Sequence, residues 1–220
     1  IRDKLVTGVQ TCALPIYTGP KFKLCRREQV NLFWTDKYDV KNRRSLPGQH
    51  GSSMKRNSEY GKLLRNKQVL KRSYMLSEKQ FVKLVHETSA RYSKNHNISH
   101  DEALYMFLEA RMDSILYRSG IAKTMMQARQ MVNHGNFLLN GKKHNIPSTF
   151  LKPGDKITLK EKLKASPLFA GATVSKTLKI PSRIKVDRNK YEVEVLALPK
   201  LWELWTNADI LKVIEFYARA

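Results

Sequence analysis

The fold of the second half of the chain is decided by residues 124–143, TMMQARQMVNHGNFLLNGKK. Thr124 and Gln127 form a capping box, which predicts the start of a short helix. Phe137–Leu139 is apolar and follows a glycine turn, as expected of a strand. Asn140-Gly141 is the sequence signal of a tight type I′ hairpin. This order of elements predicts a small α+β module.

More strands and a last helix are predicted downstream of that stretch. Pro153-Gly154-Asp155 indicates a turn, and Lys156–Leu159 alternates between polar and apolar residues as a strand does. Tyr191–Val195 alternates in the same way. Asn207 or Asp209 is expected to cap a final helix, whose apolar residues follow at helical spacing.

Amphipathic helices are predicted upstream. Residues Ser58–Met75 carry apolar side chains on one face and cations on another. Ser77 and Gln80 form a second capping box. A helix that opens at Ser99 is predicted to continue as far as Gly120.

The segment Tyr17–Arg56 has little helical periodicity and contains several turns, including PGQHG at Pro47–Gly51. We predict an extended arm with one short helix around Arg27–Trp34. Such a segment needs a partner to fix its conformation.

Charge is the strongest clue to that partner. The 220 residues include 41 Lys and Arg against 19 Asp and Glu, a formal net charge of +22. Within residues 41–72, ten basic side chains accompany a single acid, Glu59. A solvated surface usually carries both signs, and an excess of one sign costs self-repulsion that a polyanion relieves. The balance favours RNA or DNA, with backbone phosphates as the main contacts.

Other classes of protein are disfavoured by what the sequence lacks. No apolar run approaches the roughly 18 residues of a membrane span, and two cysteines are too few for a disulfide scaffold. There is no Walker loop, GxSxG or HExxH motif, and the histidines do not fall at metal-ligand spacing. We therefore predict no enzyme activity, no catalytic residue, no metal site, no cofactor and no membrane partner.

The first sixteen residues differ in character from the rest. Val6–Ile16, VTGVQTCALPI, resembles one reading frame of a common sequencing adapter, so Ile1–Ile16 is expected to be non-native. A signal peptide is the alternative, but the segment lacks the continuous apolar stretch that a signal peptide requires. Without Cys12, Cys25 is the one remaining cysteine.

Several residues have two interpretations. His50 is explained equally well as a turn residue and as a phosphate or base contact. Asp113 is better explained as a partner of arginine than as a general base. Arg111 is either an RNA contact or a structural partner of Asp113 or Glu109. Three aromatic side chains interleave with cations and either stack on RNA bases or pack in a core: Trp34, Tyr60 and Tyr74.

Short motifs spread along the chain together resemble one family. They are YTGPK at 17–21, CRRE at 25–28, PGQHG at 47–51, LRNKQ at 64–68, EARMD at 109–113, NGK at 140–142 and IEFY at 214–217. In this combination and order, residues 17–220 resemble small-subunit ribosomal protein four of bacteria and organelles. The module near 110–172 is less specific, because pseudouridine synthases, some tyrosyl-tRNA synthetases and a heat-shock protein carry a similar domain.

The resemblance implies a structural role without catalysis. It implies binding to a multi-helix junction in the 5′ domain of small-subunit ribosomal RNA, early in assembly. It also implies a position near mRNA at the entry channel, beside ribosomal proteins three and five, in a bacterial cytoplasmic or organellar ribosome. Some members carry a zinc-binding cysteine cluster near the N-terminus. Because this chain has only Cys25 there, the resemblance implies a zinc-free member.

We predict an α+β fold in which a mostly helical domain, 17–108 with 173–220, receives an inserted RNA-binding module, 109–172. The module is expected to have two short helices and a small antiparallel sheet. Candidate RNA contacts in the helical domain are Lys21, Arg26, Arg27, Arg43, Arg44, His50, Lys55, Arg56, Arg65, Lys67, Lys71 and Arg72. In the module they are Arg111, Arg118, Lys123, Arg129, Lys142 and Lys143. The alternatives are an RNA-modifying or tRNA-charging enzyme and a factor that rebinds stalled large subunits.

Overall fold

The computed structural model describes most of the chain beyond residue 16. The described residues are 17, 19–33, 40, 45–53, 58–92, 98–164, 166, 169, 180–187, 190–203 and 208–219. They belong to two compact units. The helical unit is the described part of 16–105 and 204–220, and the sheet unit is the described part of 106–203. The segment expected to be non-native, Ile1–Ile16, lies outside the described residues.

Helices account for most of the regular structure. In chain order they are α1 (Lys21–Glu28), α2 (Glu59–Ser73), α3 (Glu78–Tyr92), α4 (His100–Glu109), α5 (Met112–Arg118), α6 (Met125–Asn133), α7 (Glu161–Lys164) and α8 (Ile210–Ala218). A short 3-10 turn covers Leu201–Glu203. None of these helices combines the length and the apolar character needed to cross a membrane.

In the helical unit, α2 packs along α8. Leu63 and Leu70 of α2 are buried, as are Val213 and Phe216 of α8. The spacing of seven or three residues places each pair on one face of its helix. Burying a large apolar side chain contributes about 1.5–3 kcal/mol, so these faces hold the last helix against the second.

Side-chain caps fix where the helices of this unit begin. Ser58 caps α2 by accepting a hydrogen bond from a backbone N–H three residues on. The predicted box at Ser77 and Gln80 is confirmed, since each side chain accepts from the other residue's backbone N–H at 3.3 Å. Asp209 caps α8 by accepting from the N–H of Lys212, which settles the choice between the two predicted caps.

The sheet unit is built on five antiparallel strands. They are β1 (Phe137–Leu139), β2 (Lys142–Lys143), β3 (Lys156–Leu159), β4 (Ile184–Asp187) and β5 (Glu192–Val195). Their order across the sheet is β2-β1-β3-β5-β4. Ile157, Leu159, Val193 and Val195 are buried while their neighbours in the strands are at least partly exposed, so one face of the sheet forms a core.

The hairpin between β1 and β2 has the predicted geometry. Asn140 and Gly141 have φ angles of 50° and 80°, as a type I′ turn requires. The Asn140 side chain donates to Asp155 at 2.8 Å and accepts from the N–H of Lys156 at 2.9 Å. These bonds tie the hairpin turn to the turn before β3.

The prediction of one helix from Ser99 to Gly120 is wrong, because the chain leaves the helix between α4 and α5. Arg111 forms a β-bridge with Phe150. The N–H of Met112 donates to the carbonyl of Thr149 at 2.9 Å, and that of Leu151 donates to the carbonyl of Ala110 at 2.9 Å. Pairing with this neighbouring segment therefore outweighs the local helical periodicity.

The α+β fold with a helical N-terminal part and a small antiparallel sheet is confirmed. Two boundaries differ from those predicted. The first helix spans Lys21–Glu28 and ends at Gln29, whose φ of 57° is left-handed, instead of lying around Arg27–Trp34. The sheet unit extends to Glu203 instead of ending at residue 172, because β5 pairs with β3.

Candidate nucleic-acid interface

Helix α2 carries the largest group of predicted contacts. Arg65 and Arg72 lie seven residues apart on one face, and both donate to Oε1 of Glu28, Arg65 at a distance of 3.0 Å. The Glu28 side chain is wholly buried, whereas 36% of the Arg65 and 25% of the Arg72 side chain is exposed. Burial raises the pKa of the Glu28 carboxyl, and the charges of Arg65 and Arg72 oppose that rise.

Lys67 and Lys71, on the same helix, are held by a different acid. Each donates to a separate oxygen of Glu78 at 2.7 Å, and the hydroxyl of Tyr217 donates to Glu78 at 2.8 Å. Burial alone would raise the pKa of Glu78, but these hydrogen bonds outweigh it and lower the pKa to about 2. Lys67 also lies 4.7 Å from the centre of the Phe216 ring. Lys67 is therefore part of the packing between α2 and α8.

The predicted contacts around α1 have varied settings. Arg27 is exposed and Lys21 is half-buried. Arg26 donates to the carbonyls of Ser45 at 2.9 Å and Leu46 at 3.1 Å, which ties α1 to the segment that precedes PGQHG. His50 is exposed within that turn. Four predicted contacts lie outside the described residues: Arg43, Arg44, Lys55 and Arg56.

In the sheet unit, Asp113 binds two of the predicted contacts. Arg111 donates to both oxygens of Asp113 at 3.0 and 2.9 Å. Arg129 of α6 donates twice to Oδ2 of Asp113, at 3.0 and 2.8 Å. The interpretation of Asp113 as a partner of arginine is confirmed, and Arg111 has the structural role that the sequence left open.

Glu109 is the centre of a second buried network. Arg118 donates to both carboxylate oxygens with two nitrogens, at 2.7 to 3.2 Å, and Arg183 also donates to Oε2 at 2.6 Å. Arg183 also bonds Glu203. Only 2% of the Arg118 and 4% of the Arg183 side chain is exposed. The sequence predicts Arg118 as an RNA contact, but its burial gives it a structural role.

Three predicted contacts of the sheet unit are open to solvent. Lys142 and Lys143 are exposed on β2, directly after the hairpin turn. Lys123 is exposed just before α6, and its N–H donates to the Gln127 side chain at 2.8 Å. Thr124 caps the same helix by accepting from the N–H of Gln127 at 3.1 Å. The predicted capping box is thus present, with its return bond shifted by one residue.

The sequence indicates Asp113 and Glu109 as possible partners of Arg111, but it misses Glu28 and the pairing of Glu109 with Arg118 and Arg183. Glu28 and Glu109 lie in the quoted motifs CRRE and EARMD, where only the arginines are predicted as site residues. Arg183 carries no local signal, since its partner Glu109 is 74 residues away. Carboxylates next to arginines in a motif are the one sequence feature that could have indicated such networks.

A metal site would require several ligating side chains close together. Within the part of the chain that the structure describes, no group of three or more His, Cys, Asp or Glu is placed to hold a metal ion. Cys25 is buried in the helical unit, and burial raises the pKa of its thiol. A raised thiol pKa disfavours the thiolate form that binds metals.

Comparison with known families and proteins matches both units. The family described as ribosomal protein S4/S9 N-terminal domain matches residues 16–109, and the S4 domain family matches residues 110–157. Small ribosomal subunit protein uS4 of Thermotoga petrophila is 41% identical over 211 residues, which cover 92% of this chain and 99% of that protein. The protein of the same name from Heliobacterium modesticaldum is 40% identical with the same coverage. That of Latilactobacillus sakei is 40% identical over 92% of this chain and 98% of its own length.

Proposed function

The chain belongs to the family of small ribosomal subunit protein uS4, and from that premise we propose that it is a structural, non-catalytic component of the small ribosomal subunit that binds ribosomal RNA. One observation carries the proposal: the relationship extends over 92% of a chain whose described units both expose cations. Arg27, Arg65 and Arg72 are at least partly exposed in the helical unit, and Lys142 and Lys143 are exposed in the sheet unit. Such cations bind phosphates without reading base sequence.

We further propose that the RNA site is a junction of several helices in the 5′ domain of small-subunit ribosomal RNA, occupied early in assembly. Cations from two linked units suit a junction, because phosphates of converging helices repel one another until they are neutralised. Proximity to mRNA at the entry channel, and to ribosomal proteins three and five, is proposed on the family resemblance.

The proposal is tested by binding to a 5′-domain transcript and to an unrelated structured RNA of equal length, at moderate salt. We expect tighter binding to the 5′-domain transcript, with an affinity for both RNAs that falls steeply as salt rises. Equal affinity for the two RNAs would contradict the proposal. Modification of either RNA on prolonged incubation would instead favour an enzyme that uses the S4 domain for docking.

A further inference from the structure

We propose that Glu28 is a positioning residue that holds the guanidinium groups of Arg65 and Arg72 together as a two-pronged site for one phosphate of RNA. This inference rests on the proposed function and adds a specific site to it. It concerns the helical unit alone and uses residues of α1 and α2.

The two guanidinium groups converge although their backbones are far apart. Seven residues of α-helix separate Arg65 from Arg72 by about 10 Å along the axis of α2. Both side chains nevertheless donate to the same atom, Oε1 of Glu28. Donors to one acceptor atom must lie close to each other. The two guanidinium groups are therefore neighbours although their backbones are two helical turns apart.

Glu28 is needed for this convergence. Two guanidinium ions repel each other, and no other acid accepts from either arginine in the described part of the chain. Arg27 and Lys71 add positive charge close to Glu28, so the cluster as a whole attracts anions. Without the carboxylate, we expect the two side chains to separate into solvent.

The burial of the three side chains determines what an approaching anion meets. None of the Glu28 side chain is exposed, whereas part of each arginine is. A guanidinium has five N–H donors, and within the described residues the side chains of Arg65 and Arg72 donate only to Glu28. The remaining donors can therefore bind phosphate oxygens from the solvent side, as arginine forks do.

The two lysines of α2 that also share one acid are less suited to bind a phosphate. Lys67 and Lys71 donate to Glu78, and Lys67 is buried against Phe216. Lysine is also a single point charge and lacks the planar fork of arginine. The pair of arginines held by Glu28 is thus the part of α2 best suited to bind a phosphate.

The first experiment uses a variant for which simple electrostatics and the positioning role predict opposite changes in RNA affinity. Glu28→Gln keeps the shape of the side chain but removes its charge, so simple electrostatics predicts tighter RNA binding. If Glu28 holds the two arginines together, its loss weakens RNA binding instead. We expect the affinity for the 5′-domain transcript to fall about tenfold. Glu59→Gln is the matched control, because it removes one acid from the exposed first turn of α2, where Glu59 pairs with Lys62. We expect this control to bind RNA as tightly as the unaltered chain, or more tightly.

The second experiment keeps Glu28 and every charge. Arg65→Lys and Arg72→Lys are compared with the double variant, and urea unfolding checks that all are folded. If the arginines grip one phosphate together, either single change costs most of the affinity and the double change adds little. Removing one phosphate contact makes the negative slope of log affinity against log salt shallower by about one, and we expect this change in the double variant because its lysines no longer reach the phosphate.

Three results separate the possible failures. Glu28→Gln binding as tightly as Glu59→Gln would overturn the positioning role. If the losses of binding free energy in Arg65→Lys and Arg72→Lys add up in the double variant, and its salt slope becomes shallower by about two, the two arginines bind separate phosphates and the single shared site is wrong. If the unaltered chain itself shows no preference for the 5′-domain transcript, the proposed function fails, whatever the variants do.

Discussion

The helical unit and the sheet unit use the same ion pair, two arginines on one buried carboxylate, with opposite exposure. In the helical unit, Arg65 and Arg72 on Glu28 leave 36% and 25% of their side chains in solvent. In the sheet unit, Arg118 and Arg183 on Glu109 leave 2% and 4%. The carboxylate is wholly buried in both. The two pairs therefore differ in exposure and not in pairing, and the arginines of the helical unit, unlike the buried ones, have donors that anions in solution can reach.

Burying Arg118 and Arg183 costs desolvation free energy that the partly exposed Arg65 and Arg72 largely avoid. Taking a charge out of water is expensive, and a buried network is maintained only if its partners all stay in place. In the sheet unit this network joins α4 and α5, which are neighbours in sequence, to the segment before β4, where Arg183 lies 74 residues beyond Glu109. Breaking it is expected to affect stability first, whereas breaking the pair on α2 is expected to affect RNA binding first.

The largest expected effect is that of Glu109→Gln on stability. The change leaves Arg118 and Arg183 buried with too little negative charge, so we expect the free energy of unfolding to fall by about 3–5 kcal/mol. Urea unfolding measures it. Glu194→Gln is the control, because Glu194 pairs with the exposed Lys156 at 3.5 Å and should cost no more than about 1 kcal/mol. Equal decreases in the two variants would contradict a special structural role for the buried network.

Asp113→Asn should have the next largest effect. Arg111 and Arg129 both donate to this carboxylate, but 13% of the Arg129 side chain is exposed and can reach water. We therefore expect the free energy of unfolding to fall by about 2–3 kcal/mol, less than for Glu109→Gln. The same urea titration checks it, and a decrease below about 1 kcal/mol would show that the network is dispensable.

Glu78 gives a pH-dependent effect of intermediate size. Its pKa is lowered from an ordinary 4.5 to about 2, so its ion pairs stabilise the fold above pH 4.5. That stabilisation disappears as the pH falls from about 4.5 to 2. Since 44% of the Glu78 side chain is exposed, solvent screening reduces the stabilisation by its ion pairs to about 1 kcal/mol. We expect Glu78→Gln to be less stable than the unaltered chain at pH 7 and equal to it at about pH 2. A difference that does not change with pH would contradict this.

The smallest expected effect on stability is that of Lys142→Ala with Lys143→Ala. Both residues are exposed, so the free energy of unfolding should change by no more than about 0.5 kcal/mol. The negative slope of log affinity against log salt should nevertheless become shallower by about one for each phosphate that the variant no longer neutralises. Lys79→Ala with Lys83→Ala removes the same charge from the exposed face of α3 and serves as the control. Equal slopes for the two double variants would mean that β2 has no special role in RNA binding.

Much of the fold could be predicted, because its signals are local. The capping box at Ser77 and the turn at Asn140-Gly141 depend on neighbouring residues alone, and both predictions are confirmed. The break between α4 and α5 could not be predicted, since it depends on pairing with residues 149–151. Likewise, β4 joins the sheet only through its pairing with β5.

The site was less predictable than the fold for a physical reason. A sequence shows that an arginine is present but not how much of it is buried. Arg118 and Arg65 have similar local settings, in segments rich in charge, and the sequence predicts both as RNA contacts. Their difference comes from the packing around the acid that each arginine binds: Glu109 for Arg118, and Glu28, which lies 37 residues away in sequence, for Arg65.

Three of the buried or half-buried acids are each shared by two cations. Glu28, Glu78 and Asp113 are each bonded by two cations, so each of these clusters keeps a surplus positive charge after its own pairs have formed. A copy synthesised in excess of its RNA would therefore recruit anions from its surroundings. Sulfate or polyphosphate should accordingly raise its melting temperature more than chloride of equal ionic strength, because a ligand that binds only the native form stabilises it.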